Sequence, residues 1–329
     1  MEVPPPSGSP PAAVATLPDP WEPAPPIPLG GYLERQRFSP GLTAFLTLIL
    51  VILLFHVVIG PIAMVTLLML SGVTLADLQG SLATVISDNA RSLLVANTIG
   101  QVFALALPTF LILRLHTRRP WAFVRWRSAP ASILGMSLLG LVGLTPVVWW
   151  LGSLNEALPL PDWLERLEES QIDLIEQVLV QDLGVAFSLF VMAVTPAFCE
   201  EFLFRGYVQR QLERQIGTVA ALAVVGLLFG LFHFRFSQVV PLTAIGVYLA
   251  YLTWRTGSLW PAILVHLVNN SFALLLGMYV SRRPDMDLES LEHVEVPAFV
   301  TFLGAALFAG VVYLLHHRMP PVEPNPASA

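Results

Sequence analysis

Apolar residues in this chain run in windows of about 20, the length that crosses roughly 30 Å of hydrocarbon, and short polar connections separate them. Eight such windows predict membrane helices near residues 43–70, 93–113, 132–152, 183–200, 217–234, 239–254, 260–279 and 298–316. The first is long and contains Gly60-Pro61, which predicts a kink or a tilted helix, because proline removes a helical hydrogen bond. The sixth is the shortest. The expected fold is all-α, a polytopic membrane helix bundle of about eight transmembrane helices.

Composition supports this pattern. The chain is 55% hydrophobic and 12% charged with a mean hydropathy of +0.69, against roughly 25% charged residues in soluble domains. The bilayer is its expected surrounding, and no nucleic-acid partner is expected. The single cysteine, Cys199, excludes an intramolecular disulfide and a multi-cysteine metal site. It reads as a small buried apolar residue.

The net charge of −6 conceals an asymmetry. Every basic residue is arginine, which resembles the usage of a GC-rich bacterial genome. With a cytoplasmic N-terminus, one side receives Arg35, Arg37, Arg114, Arg118, Arg119, Arg125, Arg127, Arg205, Arg210, Arg214, Arg255 and Arg318. The other receives Asp77, Asp88, the carboxylates of 153–182, and Asp285, Asp287, Glu289, Glu292 and Glu295. Arginine-rich connections mark the cytoplasmic side of membrane proteins. The alternation holds through every connection, so the expectation is an integral protein of a bacterial inner membrane with both termini cytoplasmic.

Residues 1–40 are too rich in proline for a packed element and too poor in apolar residues for a core. They are expected to form a disordered cytoplasmic tail, and 320–329 another. No basic region followed by a short apolar run opens the chain, so no cleaved signal peptide is expected. Between the tails, 41–182 holds the first helices and an acidic outer loop, 183–280 a core that carries the chemistry, and 281–319 an outer loop and the last helix. In 153–182 apolar residues such as Trp163, Leu164, Ile172 and Ile175 recur at helical spacing among the carboxylates. That pattern reads as an amphipathic helix on the outer interface, either a connector packed on the bundle edge or a substrate gate.

Three polar signatures interrupt the apolar core: Glu200-Glu201 with Arg205, Phe229 with His233, and His266 with Asn269-Asn270. Ionisable groups at membrane depth are expensive to keep and mark functional sites. Positions four apart share a helix face, so His266 and Asn270 point together, as do Phe229 and His233. Glu200 and Glu201 stand about 100° apart around a helix and must have different roles. Glu201 precedes Arg205 by four, the favourable order for an intrahelical ion pair. Each feature also has a plainer reading. A lone histidine or asparagine joins helices by hydrogen bonds, Arg205 anchors a cytoplasmic helix end, and Gly226 with Gly230 serves close packing. His56, His116, His293, His316 and His317 receive no role.

A carboxylate and two imidazoles in a low-dielectric pocket suit amide hydrolysis, the carboxylate taking a proton from water while fixed donors hold the oxyanion. Glu200, His233 and His266 are equally a common zinc complement. Residue types alone leave both open.

At these positions the chain resembles the CPBP intramembrane proteases, also called the CAAX protease and bacteriocin-processing or Abi family. Their pattern of EExxxR, FxxxH and HxxxN is met in order by Glu200, Glu201 and Arg205, by Phe229 and His233, and by His266 and Asn270. The resemblance covers about residues 183–280. It implies an endopeptidase cleaving membrane-associated proteins or peptides near the cytoplasmic face. Glu200 is then the general base, His233 positions the water, His266 and Asn270 form the oxyanion site, and Glu201 with Arg205 supports the helix. No cofactor is favoured, because an asparagine suits an oxyanion donor better than a zinc ligand, and zinc on Glu200, His233 and His266 stays as the alternative. A transporter would show repeated halves and paired broken helices, which the sequence lacks. A non-catalytic immunity or scaffold protein of the same bundle would be expected to lose part of the Glu/His/His set, which is intact.

Overall fold

The computed structural model describes residues 29–74, 76–77, 84–85, 88–181, 183–283, 285 and 296–317. The described residues form helices and no strand. The proline-rich tails before 29 and after 317, with Arg318, and the whole 286–295 acidic connection lie outside them. Among the described residues, seven helices are long and apolar enough to cross a membrane. They are α1 (Pro40–Leu70), α2 (Ala90–His116), α3 (Ala131–Glu156), then, past an amphipathic α4 (Asp162–Val180), α5 (Val185–Ile216). A shorter apolar helix, α6 (Thr218–Leu231), precedes α7 (Val239–Thr256), α8 (Trp260–Val280) and α9 (Ala298–His317). All eight expected spans are present as helices.

Their lengths differ from expectation in one respect. The fifth element, not the sixth, is the short one, since α6 has 14 residues and spans about 21 Å. It ends at Leu231 because the chain turns there, with Phe234 at φ +53°, before a single 3-10 turn at Phe236–Gln238 leads into α7. The short helical turn Tyr32–Arg35, expected within the tail, is tied to the bundle through Gly31 and Glu34. Gly31 N–H donates to the His116 carbonyl at 2.9 Å, and the Glu34 carboxylate accepts from Arg214 and pairs with His116. Those contacts satisfy charges that a free tail would leave in water.

Four stretches of wider π-helical winding interrupt the spans: Leu54–Ile59, Gln101–Ala106, Phe190–Val194 and Phe202–Val208. The first three lie just ahead of Pro61, Pro108 and Pro196. Proline has no N–H for the carbonyl one turn back, so the bonding pattern there shifts to the wider turn. The kink expected at Gly60-Pro61 is therefore one case of a device used three times.

Two larger apolar cores, beside a small one at Leu179, Leu274 and Met278, hold the described bundle. One joins α1, α2, α5 and α6 through Val51, Leu105, Leu113, Phe204, Tyr207 and Phe229. The other joins α3, α7, α8 and α9 through Leu144, Tyr248, Leu249, Val265 and Val311. Between them α6 and α7 cross closely, as the small-residue pair Gly226 and Gly230 suggested. A Cβ on Gly246 would lie 2.8 Å from the Gly226 carbonyl oxygen, so only glycine fits that crossing. At the end bearing most arginines, the Glu213 carboxylate accepts from Arg125 at 3.0 and 2.8 Å and from Arg210 at 3.1 Å, all three groups buried.

Candidate active site

The seven residues of α5 from Phe202 to Val208 are all buried, and Arg205 and Glu201 are fully enclosed. A guanidinium this deep is stable only when paired and hydrogen-bonded. Arg205 Nη1 donates to Glu201 Oε1 at 2.6 Å and Nη2 to the Gly246 carbonyl at 2.9 Å. Its guanidinium also lies over the Phe229 ring, 4.4 Å from the centroid, a cation–π contact strengthened by desolvation. The close α6–α7 crossing is what brings the Gly246 carbonyl within reach.

Glu201 Oε1 also takes His266 Nδ1, at 2.9 Å. A carboxylate only accepts, so Nδ1 carries the proton and the other ring nitrogen, Nε2, is turned toward Glu200, 3.9 Å from its Oε2. The two adjacent glutamates thus face apart, as the 100° helical offset requires. Glu201 ties α5 to α8, while Glu200 faces a cavity.

That cavity has a volume of about 640 Å³ and is lined by Glu200, His233, Gln101, Asn97 and His56 among aromatic and aliphatic walls. His233 stands in the turn after α6 rather than on the helix. Its ring Nδ1 meets the Phe229 carbonyl at 2.8 Å, a carbonyl that a continuing helix would have given to the His233 backbone N–H. The backbone N–H bonds Gly230 instead. Because the carbonyl accepts, Nδ1 holds the proton, and the neutral ring presents Nε2 as an acceptor.

The expected residues are therefore brought together unequally. Glu200 and His233 line the cavity, and His266 is not a lining residue but stands with Nε2 3.9 Å from Glu200 Oε2. Asn270, half-buried one turn beyond His266, is not a lining residue and is met by the Asn269 amide at 3.4 Å. Sequence reasoning missed Gln101, whose Nε2 donates to Glu200 Oε1 at 3.2 Å, and with it Asn97. Two amides four residues apart in an apolar span were the available signal. His56 had none, since it depends on the π turn at Leu54–Ile59 for its direction.

Zinc requires three donors gathered around one point. The Nδ1–H bonds of His233 and His266 resemble the outer support of zinc-bound imidazoles, but among the described residues no group of three His, Cys, Asp or Glu side chains is placed to hold a metal ion. As arranged, the donor set among the described residues does not fit zinc.

Residues 182–272 match the family model described as type II CAAX prenyl endopeptidase Rce1-like. The match is consistent with the CPBP resemblance, includes every residue of the three motifs, and supports a CAAX-type endopeptidase. Together with the apolar helices it indicates an integral membrane protein. No curated protein and no solved structure matches the chain.

Proposed function

We propose that this protein is an intramembrane endopeptidase in which Glu200 is the general base. The observation that carries the reading is the single cavity shared by the Glu200 carboxylate and the acceptor nitrogen of His233. A water between them gives its proton to Glu200 while His233 Nε2 orients it, and its oxygen attacks the scissile carbonyl carbon. The oxyanion that forms is held by donors on the His266 side. The protonated Glu200 then passes its proton to the leaving nitrogen, and the C–N bond breaks. Atoms balance with one water consumed and a new carboxyl and amine formed.

Gln101 fixes the base. Its amide donates to Oε1, which leaves Oε2 for the water. Glu201 and Arg205 touch no substrate in this scheme and act by positioning. With Nδ1 committed to Glu201, His266 turns its Nε2 toward Glu200. The expected second oxyanion donor is Asn270. A second reading assigns that role to Asn97, because Asn97 lines the cavity and Asn270 does not.

The domain reading follows the same division, with 183–280 as catalytic core, 41–182 and 281–319 as surrounding helices, the stretch before Gly31 and 320–329 as tails, and the turn at Tyr32–Arg35 tied to the bundle. The substrate is a membrane-associated protein or peptide, and the protein resides in a bacterial inner membrane with both termini cytoplasmic. Comparing new N-termini in membranes that contain the wild-type chain or Glu200→Gln tests the reading. Loss of a defined set of cleavages in the variant is expected.

A further inference from the structure

The cavity has an unequal pair of ends. Toward the arginine-bearing end it is closed by packed side chains, with Phe204, Tyr207 and Val208 of α5 fully buried against Phe123 and Val124. None of the connections that carry several arginines contributes a described lining residue, and those that do carry one each, Arg166 before α5 and Arg235 after α6. Asn97 lies 19 positions, about 28 Å of helix, from His116 at that end. Phe232, His233 and Phe234 follow α6, whose full length separates them from Thr218.

Toward the opposite end the cavity reaches Gln171 of α4, a helix that does not cross the membrane. α4 is docked there by defined bonds. The Glu168 carboxylate accepts from the backbone N–H groups of Phe236 and Ser237, at 2.5 and 3.3 Å. Asn155 holds the same turn, donating to the Phe236 carbonyl and accepting from Val240 N–H, both at 2.8 Å. The cavity wall made by Phe232–Phe234 and the mouth made by α4 are thus fastened to each other.

Arginine bias assigns this mouth to the extracytoplasmic side. We propose that the site takes its substrate from that side, through the opening bordered by Gln171, and that the substrate is a polypeptide segment exposed outside the cytoplasm with uncharged residues around the cleaved bond. Among the described residues the lining carries no cationic side chain to receive a free carboxylate terminus and, apart from Glu200 and two imidazoles, only amide and apolar groups. Access from outside departs from the cytoplasmic-face cleavage that the motif resemblance implied. The inference rests on the proteolytic reading for the word substrate, but its geometry and its first test do not.

The test uses the full chain in a bacterial inner membrane with the buried Cys199 replaced by alanine and one new cysteine, Gln171→Cys or Arg118→Cys, with folded yield measured for each. Spheroplasts are treated with a membrane-impermeant maleimide before and after permeabilisation. Gln171→Cys is expected to label fully in intact spheroplasts, and Arg118→Cys only after permeabilisation. A bulky polyethylene-glycol maleimide at position 171 is expected to stop cleavage of an endogenous substrate, and the same reagent at 118 to leave it unchanged. Labelling of Gln171→Cys only after permeabilisation, or a block from position 118 and not from 171, would overturn the proposal. Absence of any cleavage by the unmodified protein would instead sink the proteolytic reading and leave the labelling result standing.

Discussion

Glu201 Oε1 and His266 Nδ1, 65 positions apart in sequence, lie 2.9 Å apart, and the same oxygen accepts from Arg205 at 2.6 Å. One carboxylate oxygen thus fixes the direction of an imidazole and neutralises a fully buried guanidinium. Glu201→Gln leaves that guanidinium without its counter-charge, a loss that costs about 3–5 kcal/mol when one partner of a buried pair is removed. Thermal unfolding in detergent is expected to show a large drop for Glu201→Gln and little change for Glu200→Gln, whose amide oxygen still accepts from Gln101. Equal destabilisation by both would contradict the division of labour.

Gln101 reaches Glu200 across the α2–α5 interface, so its role is separable from folding. Gln101→Leu is expected to lower kcat by roughly 10–100-fold, as loss of a hydrogen bond to a charged group worth about 1.5–3 kcal/mol implies, with KM and folded yield nearly unchanged. A rise in KM at constant kcat would mean that Gln101 contacts substrate instead of orienting the base.

The oxyanion donor is decided by comparing two alanine variants. Loss of one such donor typically costs 10²–10³ in the chemical step. If the donor is Asn270, Asn270→Ala shows that loss and Asn97→Ala does not, and single-turnover cleavage separates the two. The reverse pattern would assign the role to the cavity-lining Asn97.

Metal dependence follows from the donor geometry. Turnover is expected to survive dialysis against a chelator, because Glu200, His233 and His266 are not gathered into a three-donor set. Elemental analysis showing about one zinc per chain, together with loss of turnover on stripping and recovery on zinc addition, would replace the water-activation step while keeping an endopeptidase.

Much of the fold was legible because hydrocarbon demands long apolar helices, and each of the eight windows became a helix, seven of them long enough to cross a membrane. The boundary of α6 was not legible. Its apolar run continues through Phe232, and only the turn that delivers His233 explains why the helix stops at Leu231. Within the site, the separation of Glu200 from Glu201 could be read from helical geometry alone, as could the Glu201–Arg205 pair. The Glu201–His266 bond could not, since it depends on how α5 and α8 pack. Gln101, Asn97 and His56 lie in helices without a motif, and π turns re-aim two of those helices near the cavity. Helical-wheel reasoning at an even 100° per residue misplaces side chains beyond such a turn.

The measurement that tests the account most directly is the set of new N-termini generated in membranes holding equal amounts of folded wild-type protein or Glu200→Gln. The account predicts a defined group of cleavages in membrane-associated proteins with the wild type and none of that group with the variant. The same cleavages at the same level with Glu200→Gln would contradict it, because the amide cannot take the proton of the attacking water.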